Sequence, residues 1–379
     1  LVSRQRYWGA PIPIIWCEDC GPQPVPEKDL PVELPRDVDF KPTGESPLAS
    51  SKEFHEGVVC PKCKADARRE CDTMDTFVDS SWYYLRYTDS KNEKEFVSKE
   101  KLQYWCPVDL YVGGAEHAVM HLLYARFFAY ALHDLGYLDF EEPFLKLRNQ
   151  GLILGPDGEK MSKSKGNVVN PDEVIAQYGA DTIRLYEMFM GPLEDAKPWD
   201  TKGIVGVRRF LDKVWRLTEK VGDGKDGELE RALHKTIKKV GNDTEDLKFN
   251  TAIAQMMTFA NHMTAAEVVP RSVLETFVIV LAPYAPHLCE ELWEMLGRND
   301  SVFAQSWPAY DESLVKDELV EVAFQVNGKM RGSAELAPDL SKEDAQERAL
   351  AHENVQKFVK GKEVVDVIYV PGRILNIVI

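Results

Sequence analysis

The chain has 379 residues, 44% of them hydrophobic, and a formal net charge of −16. That length implies two or three domains, and the acidic balance excludes a protein that grips nucleic acid by bulk charge, so any such contact must rest on local basic patches. No apolar run reaches the roughly 18 residues that span a bilayer, so no membrane partner is expected.

In chain order, "APIPII" (10–15) reads as a strand entered from the polar "SRQRYWG". Residues 16–72 are rich in proline, glycine and charge and read as a small insertion. Within it, Cys17-x-x-Cys20 and Cys60-x-x-Cys63 have the spacing of a four-thiolate zinc site. Four thiolates leave no open coordination position, so a Zn2+ held there is structural rather than catalytic. Seven cysteines with two such pairs favour metal binding in a reducing compartment, the cytoplasm, over a disulfide framework. Cys71, Cys106 and Cys289 read as isolated buried thiols.

"DLYVGG" (109–114) is a short strand ending in two glycines, and an apolar helix over 116–136 follows it, stopping at Gly136. "FLKLRNQGLIL" (144–154) is a second strand, "GPDG" a turn, and "GEKMSKSKGN" (158–167) a loop with three lysines. Asn170 and Pro171 then cap and open a helix running to residue 190. Strand, helix, strand, helix with glycine-rich strand ends predicts a parallel α/β sheet with its ligand beyond the carboxyl ends of the strands. From about 200 to 300 the apolar period is 3.6 residues, the pattern of a helical bundle. Asn327-Gly328 is a type I′ hairpin turn, followed by a helix over 341–361 and a second hairpin. The expected fold class is therefore multidomain, α/β then all-α then α+β. Its parts are a partial Rossmann-type parallel sheet over 1–195, with the zinc-knuckle insertion at 16–72, a bundle over 196–312 and a small α+β domain over 313–379.

Three ammonium groups in one glycine-bounded loop of an acidic chain suit a polyphosphate, since lysine is a point charge on a flexible stem that follows moving oxygens. A solvated basic turn is the plainer reading. Gly113 and Gly114 leave no Cβ between the strand end and an approaching nucleoside. His117 and His121, four apart, could share one helix face; a metal pair or core histidines are alternatives, and the His-Glu-x-x-His pattern of a zinc hydrolase is not met. Phe77, Ser80 and Tyr83 read equally well as core packing.

The segments "SRQRYWGAPIPI", "DTMDTFVDSSWYYLRY", "YVGGAEHAVMHLLYARF", Lys-Met-Ser-Lys-Ser followed by "YGADTIRLY", and "LAPYAPHLCEELWE" together resemble the leucyl-tRNA synthetases, a family of class I aminoacyl-tRNA synthetases, across essentially the whole chain. The resemblance implies two steps. Leucine's carboxylate attacks the α-phosphate of ATP, giving leucyl-adenylate and pyrophosphate; a terminal ribose hydroxyl of tRNA(Leu) then takes the leucyl group. It implies that Lys160 and Lys163 neutralise the leaving pyrophosphate beside Mg2+, and that Met161, Ser162 and Ser164 contact ATP with them. By the same resemblance Gly113, Gly114, Glu116 and His117 hold the nucleoside and adenylate, with Glu116 accepting from ribose hydroxyls. Phe77, Ser80, Tyr83, His117 and His121 line the leucine pocket. The bundle corresponds to an anticodon-side domain, with Arg208, Arg209, Lys329, Arg331 and Arg373 as phosphate contacts.

The family's first signature, His-x-Gly-His, is formed by none of the eight histidines. The expectation is a carboxyl-terminal portion of the enzyme, inactive alone, that needs an amino-terminal half, with no editing domain in view. The alternative is a non-catalytic tRNA-binding module.

Overall fold

The protein is described here by a computed structural model that covers residues 2–40, 44–315 and 320–379. Positions 41–43 of the expected insertion and 316–319 of the expected last domain lie outside the described residues. The chain forms two compact units: one runs to Ile153 and takes in Glu194–Ala196, and the other comprises Leu154–Leu193 and Lys197–Ile379.

In the first unit, strand Ile14–Cys17 pairs antiparallel with Gly21–Pro24 on one side and Arg68–Arg69 on the other, over a small core of Ile15, Val25 and Val58. The strand expected over 10–15 thus starts later. Pro11 and Pro13 have no N–H to give a ladder, and pairing becomes regular only beyond them. Further on, Tyr111–Gly114 and Leu147–Gln150 pair in parallel, with Gly113 opposite Asn149 and Gly114 opposite Gln150. The crossover helix His121–Asp134 buries Ala125 and Ala129 in a core with Tyr84, Leu85, Leu102 and Leu138.

Two details differ from the sequence reading. The helix expected from 116 begins as a 3-10 turn, Ala115–His117, and becomes α-helical only at His121, because Met120 has non-helical angles (φ −107°, ψ −93°). His117 and His121 therefore do not share a regular helix face. The strand expected over 144–154 splits at Gly151, where the Asp195 backbone passes so near that a Cβ would overlap it.

The second unit opens with the lysine loop. Asn170 caps helix Pro171–Tyr178 by accepting from the Asp172 N–H at 3.1 Å, as expected. The single helix expected to residue 190 is two, because Gly179 adopts φ +90°, and a second helix, Ala180–Phe189, starts there. Helices Thr201–Arg216, Gly227–Glu245, Phe249–Ala265, Arg271–Leu281 and Pro286–Met295 follow. Their apolar faces bury Ile204, Ile237, Ile253, Met256, Phe259 and Phe277 almost completely, each contributing about 1.5–3 kcal/mol by removal from water.

At the carboxyl end, four strands lie in the order Lys329–Leu336, Val320–Val326, Ile374–Val378, Asp366–Val370. Asn327 (φ +48°) and Gly328 (φ +75°) make the expected turn. Val320–Val326 and Ile374–Val378 run parallel, a pairing of distant segments. The helix expected over 341–361 is broken at His352, whose extended backbone ends Lys342–Ala351 and whose side chain accepts from the Asn354 N–H to start Glu353–Val359. Both helices cover Phe324, Leu375 and Ile377. Among the described residues, no helix is long and apolar enough to cross a membrane.

Candidate functional site

A cavity of about 380 Å³ opens at the carboxyl ends of the two parallel strands of the first unit. This is where a parallel sheet leaves backbone groups and loops free to meet a ligand. Phe77, Ser80, Tyr83, Gly113, Gly114, Glu116, His117 and His121 all line it. Phe77 and Ser80 come from helix Thr76–Ser80, started by the Asp75 side chain accepting from the Phe77 N–H at 2.9 Å. Tyr83 comes from the next helical turn, Tyr83–Arg86.

The Glu116 carboxylate folds back over the strand end into the space beside Gly114 that a Cβ would take. That carboxylate is exposed and can only accept, as hydroxyl recognition requires. His117 is exposed, and among the described residues its ring nitrogens have no hydrogen-bond partner, whereas His121 is buried, 7% exposed, between Ser80 and Tyr111. Burial, with His117 nearby, holds the His121 pKa below the ordinary imidazole value.

Tyr111, Asn149 and Gln150 also line the cavity and were not singled out from the sequence. Tyr111 lies two residues before Gly113, hence on the same strand face. Asn149 and Gln150 are the register partners of the two glycines. The first could have been found by alternation along the strand, the other two only once the pairing was known.

The lysine loop is built around Asn167. Its amide nitrogen lies 3.1 and 3.0 Å from the two Asp157 carboxylate oxygens, and its oxygen accepts from the Ser162 N–H at 2.9 Å. The Glu159 N–H and Asn167 hold the Asp157 carboxyl below its usual range. Gly158 and Gly166 take φ +75° and +66°, turns that a side chain would strain. Lys165 lies 3.3 Å from a Glu159 oxygen. Lys160 and Lys163 are exposed, and among the described residues neither meets a carboxylate. Ser162 and Ser164 hydroxyls lie 2.8 Å apart, and Met161 is half-buried. The loop therefore presents two uncommitted cations and two hydroxyls.

The four thiols of Cys17, Cys20, Cys60 and Cys63 lie within 4.8 Å of one another. Each pair is followed by a residue with positive φ, Gly21 at +69° and Lys64 at +68°, so both knuckles turn their sulfurs to one point. A tetrahedral site with metal–sulfur bonds of ~2.3 Å needs sulfurs about 3.8 Å apart, and Cys17 and Cys63 stand at 3.5 Å. Backbone N–H groups of Cys63 and Lys62 pull the Cys60 thiol down to about 6, while the Cys63 thiol beside it pushes Cys20 up to about 12. Four thiols that compete for protons in this way fit a soft dication.

Of the basic residues, Arg208 is committed to Asp212 and the Tyr178 carbonyl, and the Arg331 guanidinium sits 3.7 Å from the Phe358 ring centroid. Arg209, Lys329 and Arg373 are exposed.

A family model described as tRNA synthetases class I (I, L, M and V) matches residues 1–199, and one described as anticodon-binding domain of tRNA ligase matches residues 226–346. Among solved structures, the chain is similar to a LeuRS from Agrobacterium radiobacter in ternary complex with tRNA and LeuAMS. The identity is 38% over 100% of this chain and 51% of that one, with a TM-score of 0.84. A Mycobacterium tuberculosis methionyl-tRNA synthetase bound by methionyl-adenylate matches at 18% identity over 67% of this chain and 55% of that one, with a TM-score of 0.49. The chain spans about half the length of these relatives.

Proposed function

The chain belongs to the class I tRNA synthetases of the isoleucine, leucine, methionine and valine group, and on that premise we propose that it is part of a leucine–tRNA ligase. The observation that carries the reading is the single cavity lined by all eight residues from Phe77 to His121 that the leucyl resemblance assigns to leucine and adenylate.

In this reading the leucine side chain packs against Phe77, Tyr83 and the His121 ring. The nucleoside lies against Gly113 and Gly114, with Glu116 accepting from the ribose hydroxyls. The leucine carboxylate attacks the α-phosphate of ATP. Lys160 and Lys163, free of carboxylate partners among the described residues, neutralise the charge that builds on the departing pyrophosphate, with Met161, Ser162 and Ser164 holding ATP beside them. Mg2+ accompanies the nucleotide. A ribose hydroxyl at the 3′ end of tRNA(Leu) then displaces AMP. Cys17, Cys20, Cys60 and Cys63 hold a structural Zn2+, and the bundle with Arg209, Lys329 and Arg373 meets tRNA phosphates. The reading implies a cytoplasmic setting and the help of a nucleotide-binding half that carries His-x-Gly-His.

The test is leucine-dependent ATP–pyrophosphate exchange on this chain mixed with such a half. Exchange that appears only in the mixture, and with leucine above isoleucine, valine and methionine, supports the reading. A mixture that exchanges best with another of these amino acids overturns the leucine assignment. One that binds tRNA but exchanges with none leaves a tRNA-binding module.

A further inference from the structure

Four side chains in the cavity form one continuous hydrogen-bonded chain. The Tyr83 and Tyr111 hydroxyls lie 2.7 Å apart, and Tyr111 Oη lies 2.6 Å from His121 Nε2. His121 Nδ1 lies 3.0 Å from Ser80 Oγ, which is itself 3.1 Å from the Phe77 carbonyl oxygen. The direction of the protons follows from the last link. A carbonyl can only accept, so the one Ser80 proton goes to Phe77, and Ser80 Oγ must accept from an N–H on Nδ1. A neutral imidazole protonated there has its lone pair on Nε2, which takes the Tyr111 proton; Tyr111 in turn accepts from Tyr83.

Two other arrangements are worse. Placing the proton on Nε2 turns the Ser80 hydroxyl toward Nδ1 and strips the Phe77 carbonyl of its bond. An imidazolium would satisfy both neighbours, but it would be a cation 93% withdrawn from water by the 7% exposure of His121. Its two nitrogens meet hydroxyls, not a carboxylate that would balance the charge. The titratable groups around it are Tyr111 and Tyr83, His117 with its ring centroid 6.3 Å away, Glu116 in the lining of the same cavity, and Asp79, exposed on the helix that carries Ser80. Tyr111 itself is held rigidly. Its ring stacks on Phe144 with centroids 3.8 Å apart and planes within 8°, and its backbone is in the parallel ladder opposite Leu147.

We propose that Tyr111 is the positioning residue of this pocket: with Ser80 accepting from Nδ1–H, Tyr111 donates to Nε2 and so holds His121 as the neutral imidazole, and an apolar ligand side chain meets an uncharged ring while, of the two histidines, only His117 is left to meet the ligand's polar groups. The role of the lock in specificity rests on the reading that the pocket takes leucine; the lock itself does not. Both His121 nitrogens are committed within the protein, so His121 gives the ligand shape rather than a hydrogen bond. A protonated His121 would set a cation against the ligand's methyl groups and favour polar side chains.

The experiment is nitrogen–proton correlation spectroscopy on the chain labelled with 15N-histidine, without ligand, with the His121 signal identified by its loss in His121→Gln. The expected spectrum shows His121 as one neutral Nδ1–H tautomer that does not titrate between pH values of about 5.5 and 8. Tyr111→Phe keeps the ring stacked on Phe144 but removes the donor to Nε2, so His121 should then take up a proton in that range, while its neutral form stays Nδ1–H because Ser80 still accepts there. Ser80→Ala, which leaves Tyr111 in place, should move the proton to Nε2 with Tyr111 turned to accept. Finding His121 as an imidazolium or an Nε2–H tautomer in the unmodified chain overturns the proposal, as does a Tyr111→Phe spectrum with His121 unchanged. Leucine affinity of the chain mixed with the His-x-Gly-His half, read by calorimetry, should then weaken about tenfold from the upper to the lower end of that range in Tyr111→Phe and less than about twofold in the parent. A chain with the expected tautomer whose mixture with the His-x-Gly-His half binds no leucine tells against the proposed function and leaves the lock standing. A Tyr111→Phe leucine affinity as insensitive to pH as the parent's overturns the specificity role.

Discussion

The Asp181 carboxylate accepts from the Leu288 backbone N–H at 2.7 Å across 107 residues of sequence. It also lies 2.7 Å from His287 Nδ1. Pro286 is the first residue of helix Pro286–Met295, and Ala285, at its cap position, has no oxygen to offer. A side chain from the helix after Gly179 therefore supplies the cap that the local sequence lacks.

Asp181 is 8% exposed, and its removal leaves the Leu288 N–H without the acceptor it has at 2.7 Å. Asp181→Ala should destabilise the second unit by about 2 kcal/mol, read by urea unfolding monitored by circular dichroism. Asp181→Asn, which keeps one accepting oxygen, should lose less. Equal losses for the two would show that the carboxylate does not act as a cap.

The lysines of the loop should not be equivalent. In an enzyme with both signature segments, Lys163→Ala should slow ATP–pyrophosphate exchange ~100-fold or more, the scale of one lost electrostatic contact in a transition state. Lys165→Ala should do less, because its ammonium already lies 3.3 Å from Glu159. The reverse order would take the pyrophosphate role away from Lys163.

The thiol cluster should retain zinc through purification, one ion per chain by elemental analysis. Cys60→Ser should abolish it, since the substitution removes the thiol that backbone N–H groups draw down to about 6. Affinity should fall as pH falls, because each sulfur must shed a proton to ligate. The helical bundle should keep its far-ultraviolet signal when zinc is chelated. A Cys60→Ser chain that still held the metal would rule out the four-sulfur site.

Asp89 gives the first unit a defined acid limit. Its carboxylate takes Lys101 Nζ at 2.6 Å, Asn92 Nδ2 at 2.8 Å and the Ser98 N–H at 3.0 Å. Lys101 above all, then Asn92, holds its pKa far below the usual carboxylate range. A folded pKa below the unfolded value of about 3.9 means that the unfolded chain binds the proton first. The stabilisation is thus complete above that value and is lost as pH falls through it toward the folded pKa. Unfolding followed against pH should show a shallower acid limb in Asp89→Asn; an identical slope would remove Asp89 from the account.

Arg331 and Lys329, two residues apart on one strand, should separate in function. The Arg331 guanidinium lies over Phe358, with Nε buried and unbonded among the described residues. Arg331→Ala should therefore lower stability by about 1 kcal/mol. Lys329→Ala should leave stability unchanged and reduce the salt dependence of tRNA binding by a slope of about one. Calorimetric unfolding and a salt titration of tRNA affinity check the two halves.

What was legible in the sequence was local. The two thiol pairs, the Asn170 cap, the Asn327-Gly328 turn, the glycines at the strand end and the lysine loop all depend on residues a few positions apart, and each took the form its chemistry implied. The helix breaks at Met120, Gly179 and His352 were less visible, since apolar spacing continues through them while backbone angles do not.

The sequence by itself determined the family, the order of its motifs and the residue types available to the pocket, because motif spacing and turn chemistry are short-range properties of the chain. Only the tertiary structure decided which of those residues meet. It paired Gly113 with Asn149, bonded Tyr111 to His121, set Asp181 under Leu288 and laid Arg331 on Phe358. Strand register, cap exchange and ring stacking join segments that are distant in sequence, and their partners are chosen by the packing of the core rather than by any pattern within either segment.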